Sequence, residues 1–219
     1  MHKMKSSVSQ RGVALIVVML FMTVLGLGGL YSARSALMGE RLARSQLDVQ
    51  VARQAAEAAL RDGERDLMLT SGAMQSGAAC ARNAMRPTLD AVAYFDNSCT
   101  AGQCSALTES DRINQANYDD AADATKTVVA EAWWPASRRG KWQATAATSS
   151  TCTSFTGGVP LGMYTGANQI AGVARQPEYL IEYFTRGEGH YFRITARGFG
   201  YRTGTEVVMQ SYIQLQGFQ

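Results

Sequence analysis

The sequence predicts an α+β protein in which one long N-terminal helix packs against a C-terminal antiparallel sheet. The 22 residues from Gly12 to Ala33 carry no charge, and this apolar stretch turns into an amphipathic helical pattern that continues to about Met68. From Glu178 onward, polar and apolar side chains instead alternate with the period of strands. A helix followed by consecutive strands is typical of the α+β class.

The first half of the predicted helix, residues 13–34, has the length and composition of a membrane span. At about 1.5 Å per residue, its neutral stretch would extend roughly 33 Å, which matches the hydrocarbon core of a bilayer. A helix that is apolar around its whole circumference would be insoluble if water surrounded it. We therefore expect this half to lie in lipid or among other apolar helices.

The second half, residues 35–68, is predicted to be amphipathic. Small and apolar residues share one face at helical spacing: Ala52, Ala55, Ala56, Ala59, Leu60, Gly63 and Leu67. Charged residues lie mostly on the other face: Arg53, Glu57, Arg61, Asp62, Glu64 and Arg65. The alanine-rich face is expected to pack against a globular head formed by residues 69–219.

A three-stranded meander is predicted over residues 178–216. Its strands are Glu178–Thr185, His190–Gly200 and Thr205–Gln216, and glycine-containing hairpin connections join them. In the second strand Phe192, Ile194 and Ala196 share one face, and Tyr191, Arg193, Thr195 and Arg197 share the other. We expect one buried face, packed on the alanine-rich face of the helix, where Gly63 allows a close approach.

Four cysteines follow the apolar stretch: Cys80, Cys99, Cys104 and Cys152. None has CxxC spacing, and the histidines are His2 and His190, so the sequence does not favour a metal site. In an exported head two disulfides are expected, with three connectivities open. Pairing Cys80 with Cys99 and Cys104 with Cys152 is preferred, because it closes separate local loops.

The middle of the chain is predicted to be largely irregular. A short helix is expected within residues 109–124, where Asp119, Asp120 and Asp123 lack the pattern of a calcium loop and favour a solvated acidic face. Residues 127–134 are predicted to form a strand that ends at Pro135. Residues 143–177 are rich in Ser, Thr and Gly and are expected to form a surface loop held at Cys152.

The sequence does not indicate an enzyme. His190 lies in a predicted glycine-flanked turn, no nucleophile or phosphate-binding motif is found, and no cofactor is expected. Three basic residues lie among three tryptophans. The basic residues are Arg138, Arg139 and Lys141, and the tryptophans are Trp133, Trp134 and Trp142. Stacking on single-stranded nucleic acid is the less favoured interpretation, because tryptophans in small domains usually fill the core.

The N-terminal region resembles that of type IV prepilins. A basic leader with Lys3, Lys5 and Arg11 ends at Gly12, and an uninterrupted apolar run and an amphipathic helix follow. Within that helix, the stretch AAEAALRDGE from Ala55 to Glu64 resembles the PilX-type minor pilins. The resemblance covers residues 10–68 in detail, and it implies the pilin fold for the whole chain.

The resemblance also implies how the N-terminus is processed. Residues 1–12 would be a cytoplasmic leader, prepilin peptidase would cleave between Gly12 and Val13, and the new amine of Val13 would be N-methylated. The helix would cross the bacterial inner membrane once, with the head in the periplasm. Most pilins carry a glutamate at the fifth mature position, where this chain has Val17. A carboxylate in an apolar core is costly unless it is paired, so its absence fits a subunit with no neighbour ahead of it.

The function implied is that of a minor pilin that primes type IV pilus assembly and lies at the pilus tip on the cell surface. It would support adhesion, twitching motility or DNA uptake. Its partners would be the major pilin, other minor pilins and a PilY-type tip adhesin. A minor pseudopilin of type II secretion is an alternative, although a large inserted domain would be expected there. Two others are a membrane-anchored periplasmic receptor or enzyme that keeps residues 1–12, and a secreted domain cleaved beyond Leu30.

Overall fold

The computed structural model describes residues 13–69, 73–82, 89–107, 130–142 and 147–214. The chain divides into two compact units, Met1–Leu47 and Asp48–Gln219. One helix, α1 (Val13–Leu67), begins in the first unit and ends in the second. The predicted α+β class, with a long N-terminal helix and a C-terminal sheet, is confirmed.

The second unit contains a five-stranded sheet. Its strands are β1 (Gln103–Ser105), β2 (Val159–Pro160), β3 (Glu178–Arg186), β4 (Gly189–Phe199) and β5 (Glu206–Gln214). The last three form the predicted antiparallel meander, in the order β3-β4-β5. β1 pairs with β3 in parallel, and β2 pairs with β3 antiparallel. With three and two residues, β1 and β2 are too short to show a periodic pattern, and the sequence did not predict them.

The connections within the meander follow turn chemistry. β3 and β4 are joined by the two-residue turn Gly187–Glu188, with Gly187 at a φ of +60°. Only glycine adopts such a φ at little cost, so this residue closes a tight hairpin. The β4–β5 connection spans residues 200–205 and is closed by a hydrogen bond of 3.0 Å from Gly200 N to Thr205 O.

The alanine-rich face of α1 packs on the sheet, as predicted. Ala52, Ala55, Ala56 and Ala59 are all at most 1% exposed. A Cβ added at Gly63 would lie 2.8 Å from Cγ2 of Ile194 on β4. The backbones therefore approach as closely as small side chains allow, and the core lies between the helix and the β3–β4 pair.

The expectation that β4 buries only one face is wrong. Phe192, Ile194 and Ala196 are buried as predicted, but Arg193, Thr195 and Arg197 on the opposite face are buried as well. The segment around 130–142 covers that second face. Trp142 and Ala132 of this segment form a small apolar cluster with Leu180 of β3 and the cysteines of the β1 turn, Cys99 and Cys104.

Several predictions for the middle of the chain are corrected. The described part of the predicted strand, residues 130–134, is irregular, and Pro135 precedes a short 3-10 helix, Ala136–Arg138. Another 3-10 helix spans Leu89–Tyr94. Residues 147–177 are irregular apart from β2, and they are not a surface loop throughout, because Phe155, Val159 and Tyr164 are buried in the main core. The helix and acidic cluster expected within 109–124 lie outside the described residues.

Candidate functional site

The first unit presents a continuous apolar surface on α1. Most residues from Val13 to Leu47 are apolar or small, and the charged residues lie in the last turns of this range. All 35 positions are exposed. Phe21, Leu25 and Leu30 each expose about two thirds of their surface. Among the described residues α1 is the one helix long and apolar enough to cross a membrane. Such a surface is stable only when lipid or other apolar helices cover it.

The predicted processing residues fall at the beginning of this helix. Val13 is the first residue of α1, whereas Gly12 and the basic leader lie outside the described residues. The first turn carries no acidic side chain, and Val17, one turn later, is 48% exposed. The N-terminal end of α1 therefore offers no carboxylate to the positive end of its own dipole or to a neighbouring amine.

The second unit attaches to α1 through three buried carboxylates. Asp48, Asp62 and Asp66 are each at most 5% exposed, and each binds a different segment of the head. A buried carboxylate is costly unless hydrogen-bond donors surround it, so each one specifies which segment must lie against the helix. Helical periodicity does not distinguish these residues, and it predicts that Asp62 lies on the charged face of the helix.

Asp66 anchors the segment that follows the helix. Its Oδ1 accepts a hydrogen bond of 2.8 Å from Arg82 Nε, its Oδ2 forms an ion pair with Arg82 Nη2, and Tyr179 OH donates to it at 2.9 Å. Arg82 also lies with its Cζ 3.5 Å from the centroid of the Tyr164 ring. Burial and then the charge of Asp66 raise the pKa of Tyr179 well above its usual value, which keeps the phenol as a donor.

Asp62 anchors the loop after β2. Gly162 N donates to its Oδ2 at 2.8 Å, and the hydroxyl of Thr165 donates to its Oδ1. Burial raises the pKa of Asp62, and these two hydrogen bonds act in the opposite direction. The carboxylate thus fixes a loop that is a hundred residues away in sequence.

Asp48 anchors the β4–β5 connection. Its Oδ1 accepts a hydrogen bond of 2.6 Å from Tyr201 N, and its Oδ2 accepts one of 2.5 Å from Thr205 Oγ1. The hydrogen bond from Thr205 holds the pKa of Asp48 below its ordinary value. A Cβ added at Gly200 would lie 2.3 Å from Asp48 Oδ1, so this contact also depends on a glycine.

The outer face of the sheet is closed by ion pairs that join distant segments. The guanidinium of Arg193 binds Glu182 through two hydrogen bonds of 2.7 and 2.8 Å, and its Nη2 also binds Glu131 at 2.5 Å. Arg197 binds Glu178 at 2.5 Å and lies 4.6 Å from the ring centroid of Trp142. The expectation of one buried face put Arg193 and Arg197 on the other face. Counting residues through the hairpin places Glu182 opposite Arg193 and Glu178 opposite Arg197.

All four candidate cysteines form disulfides, but the preferred pairing is wrong. Cys80 bonds to Cys152, and Cys99 bonds to Cys104. The Cα atoms of Cys80 and Cys152 are 5.5 Å apart, and the backbone of 79–80 donates hydrogen bonds of 3.0 and 3.1 Å to Met163 O. Cys104 lies on β1 beside the tight turn that carries Cys99, and their Cα atoms are 4.2 Å apart. The first bridge joins segments 72 residues apart, whereas the second closes a local turn of five residues.

The tryptophans fill space in the head. Trp134 and Trp142 are each 5% exposed, and Trp142 Nε1 donates to Trp133 O at 2.8 Å. Arg138 lies over Trp134, with 4.6 Å between its Cζ and the ring centroid. The indole rings of Trp134 and Trp142 therefore pack against other residues of the protein, in agreement with the favoured interpretation that they fill the core.

Titratable groups do not assemble into a reaction centre in the part of the chain that the structure describes. His190 belongs to β4 rather than to a turn, and its Nδ1 lies 2.6 Å from Tyr183 OH, with the two rings stacked. Within the described ranges no group of three or more His, Cys, Asp or Glu side chains could hold a metal ion. What the arrangement offers is contact surface: an exposed apolar helix and a head attached to its second half.

Two family models match the chain. The model described as PilX N-terminal matches residues 11–61, and the model described as type IV pilus assembly protein PilX C-term matches residues 100–215. No curated protein and no solved structure matches it. The two matches cover both the exposed helix and the sheet, and the second alone covers more than half of the chain. The chain belongs to the PilX family of type IV pilus assembly proteins.

Proposed function

We propose that this chain is a minor pilin that primes pilus assembly and lies at the pilus tip, where it supports adhesion, twitching motility or DNA uptake. The observation that carries the proposal is the exposed, uncharged stretch of α1 from Val13 to Ala33, with Val17 at the fifth position after Gly12. A helix of this kind can leave lipid for a bundle of similar helices without exposing its apolar surface to water.

The proposal includes processing of the N-terminus. Prepilin peptidase removes residues 1–12 on the cytoplasmic side, Val13 is N-methylated, and the head lies in the periplasm. The amine of Val13 then needs a carboxylate from the subunit behind it. Val17 offers no carboxylate to a subunit ahead, so growth continues on one side of this chain only. This asymmetry supports a position at the tip rather than in the shaft.

The head supplies the contacts beyond the helix. Other minor pilins and the major pilin pack against α1, and a PilY-type tip adhesin binds the head. Because Asp48, Asp62 and Asp66 fix the head to the second half of α1, a load applied to the head is passed to the helix through buried hydrogen bonds. The mechanism is packing rather than catalysis.

N-terminal sequencing of the chain recovered from sheared pili tests the proposal. We expect a methylated Val13 as the first residue and a small amount of the chain relative to the major pilin. Replacing Gly12→Val should leave Met1 in place and remove the chain from sheared pili while it remains in the membrane. A wild-type chain that keeps residues 1–12 in piliated cells would support the membrane-anchored receptor and contradict the pilin.

A further inference from the structure

Among the residues that the structure describes, the outer edge of β5 has no partner strand. β5 is the last strand of the order β1-β3-β4-β5, and within the described ranges no strand pairs with its other side. Water binds the exposed row of backbone groups on such an edge, and another strand can replace that water with a complete hydrogen-bond ladder.

The backbone groups that face outward can be assigned. Gly200 N donates to Thr205 O, and the β4–β5 register continues this pairing at Gly198 and Val207. Hydrogen-bonded pairs alternate in an antiparallel ladder, so odd-numbered residues of β5 bond to β4. The N–H and C=O groups of Val208, Gln210 and Tyr212 therefore point away from the sheet.

β5 lacks the features that usually protect an edge. Its sequence, EVVMQSYIQ, has nine residues without lysine, proline or glycine, and its one charge, Glu206, lies at the beginning. Natural edges are commonly blocked by an inward or flanking charge, a proline, a bulge or a very short strand. An edge of this length without such a feature is suited to receive a further strand.

The side chains next to this edge are apolar and exposed. Val208 is 43% exposed and Tyr212 is 61% exposed, and both project from the face opposite α1. Tyr212 meets the ring of Phe184 edge-on at 6.3 Å, and Phe184 stacks on Tyr191 at 5.6 Å. These rings form an aromatic surface beside the end of β5, against which an added strand could pack an apolar side chain.

We propose that β5 receives an extended segment of another pilus subunit, which adds to the sheet as a sixth strand. The segment is neutral along most of its length, because a charge placed beside Val208 or Tyr212 would lose water without gaining a partner. This inference rests on the proposed function. Subunits of a filament meet through two different surfaces, whereas pairing of β5 with β5 would use one surface twice and close a dimer.

Photo-crosslinking in piliated cells tests the proposal. A photoreactive phenylalanine analogue replaces Tyr212 in the full-length chain, and the cross-linked peptides from membranes and sheared pili are identified by mass spectrometry. We expect one extended, neutral segment of another pilus subunit. A cross-link to β5 of a second copy would overturn the proposal, as would the absence of any cross-link in pili that contain the chain.

A pair of substitutions then separates the backbone from the side chain. Gln210→Pro and Gln210→Ala both remove the hydrogen bond of 3.0 Å from Gln210 Nε2 to Thr195 Oγ1, but only the proline removes the outward N–H. The cross-link is expected to fall to background with Gln210→Pro and to persist with Gln210→Ala. Persistence in both variants would show that no strand is added.

Two controls keep the outcome interpretable. Both variants must form the Cys80–Cys152 and Cys99–Cys104 disulfides, and if Gln210→Pro does not, Val208→Pro with Val208→Ala replaces the pair. The abundance of the chain in sheared pili is measured in parallel. A wild-type chain missing from pili contradicts the proposed function, whereas a chain present in pili with a proline-insensitive cross-link contradicts only the strand addition.

Discussion

Asp66 shows how a single residue joins the helix to the head. It is fully buried, and its partners are Arg82 and Tyr179. Because a buried charge without a counterion is costly, the carboxylate and the guanidinium each depend on the other. From the sequence alone an aspartate near the end of an amphipathic helix resembles its exposed neighbours. Its partner Arg82 follows 16 residues later in irregular chain, where no periodic pattern indicates a contact.

Replacing Asp66→Asn is expected to lower the free energy of unfolding by about 3 kcal/mol or more, because it leaves Arg82 charged and buried without a counterion. The matched control is Glu57→Gln on the exposed side of α1. Its pair with Arg53, at 3.3 Å, is solvated and should contribute less than about 0.5 kcal/mol. Urea unfolding of the full chain in detergent measures both, and equal losses would contradict the role given to Asp66.

Asp62 predicts a pH dependence. Burial raises its pKa in the folded chain above the ordinary 3.8, so the folded state holds the proton more tightly than the unfolded state does. The stabilisation is complete below pH 3.8 and is lost as the pH rises through the raised value. Relative to Asp62→Asn, which does not titrate, the wild-type chain should therefore gain stability as the pH falls from 7 toward 3.8. A difference that stays constant, or that shrinks at low pH, would contradict this assignment.

At the scale of elements, the contact between α1 and β4 depends on glycine residues, which have no side chain. A Cβ at Gly198 would lie 2.2 Å from both Ala52 O and Ala56 N, which are backbone atoms and cannot rotate away. The sequence predicted this close approach at Gly63, because that glycine continues the alanine-rich face. It did not identify Gly198, since a glycine near a strand end is equally typical of a turn.

We expect Gly198→Ala to reduce the free energy of unfolding by about 1–3 kcal/mol, because the helix must move away from the sheet. Gly204→Ala is the matched control, since nothing lies within 4 Å of the added Cβ. Thermal unfolding monitored by circular dichroism compares the two. If both variants melt with the wild-type protein, α1 is not packed against β4 as described.

The disulfides also belong to the element scale, and their pairing can be checked directly. Digestion without reduction should release Cys80 joined to Cys152 and Cys99 joined to Cys104. Removing the Cys80–Cys152 bridge is expected to cost about 2–5 kcal/mol, and more than removing Cys99–Cys104, because it closes a much longer loop. A peptide that joins Cys80 to Cys99 would restore the pairing preferred from the sequence and would overturn this part of the fold.

For the whole molecule, the sequence predicted what periodicity encodes. The long helix, its alanine face and the three meander strands each repeat a pattern over several turns or alternations, so they were predicted within a residue or two. What was missed consists of contacts between segments far apart: the two short strands, the Cys80–Cys152 bridge, the buried carboxylates and the covered outer face of β4. Each of them depends on a partner that local sequence does not name.

Our central proposal about the whole molecule is that it is a pilus subunit at the tip. It rests on the exposed first half of α1 and on the lack of a carboxylate at Val17. Immunogold labelling of sheared pili with antibodies against the head tests it most directly. Label at one end of the filaments is the predicted result. Label spread along the shaft, or filaments without any label from cells that express the chain, would contradict the account.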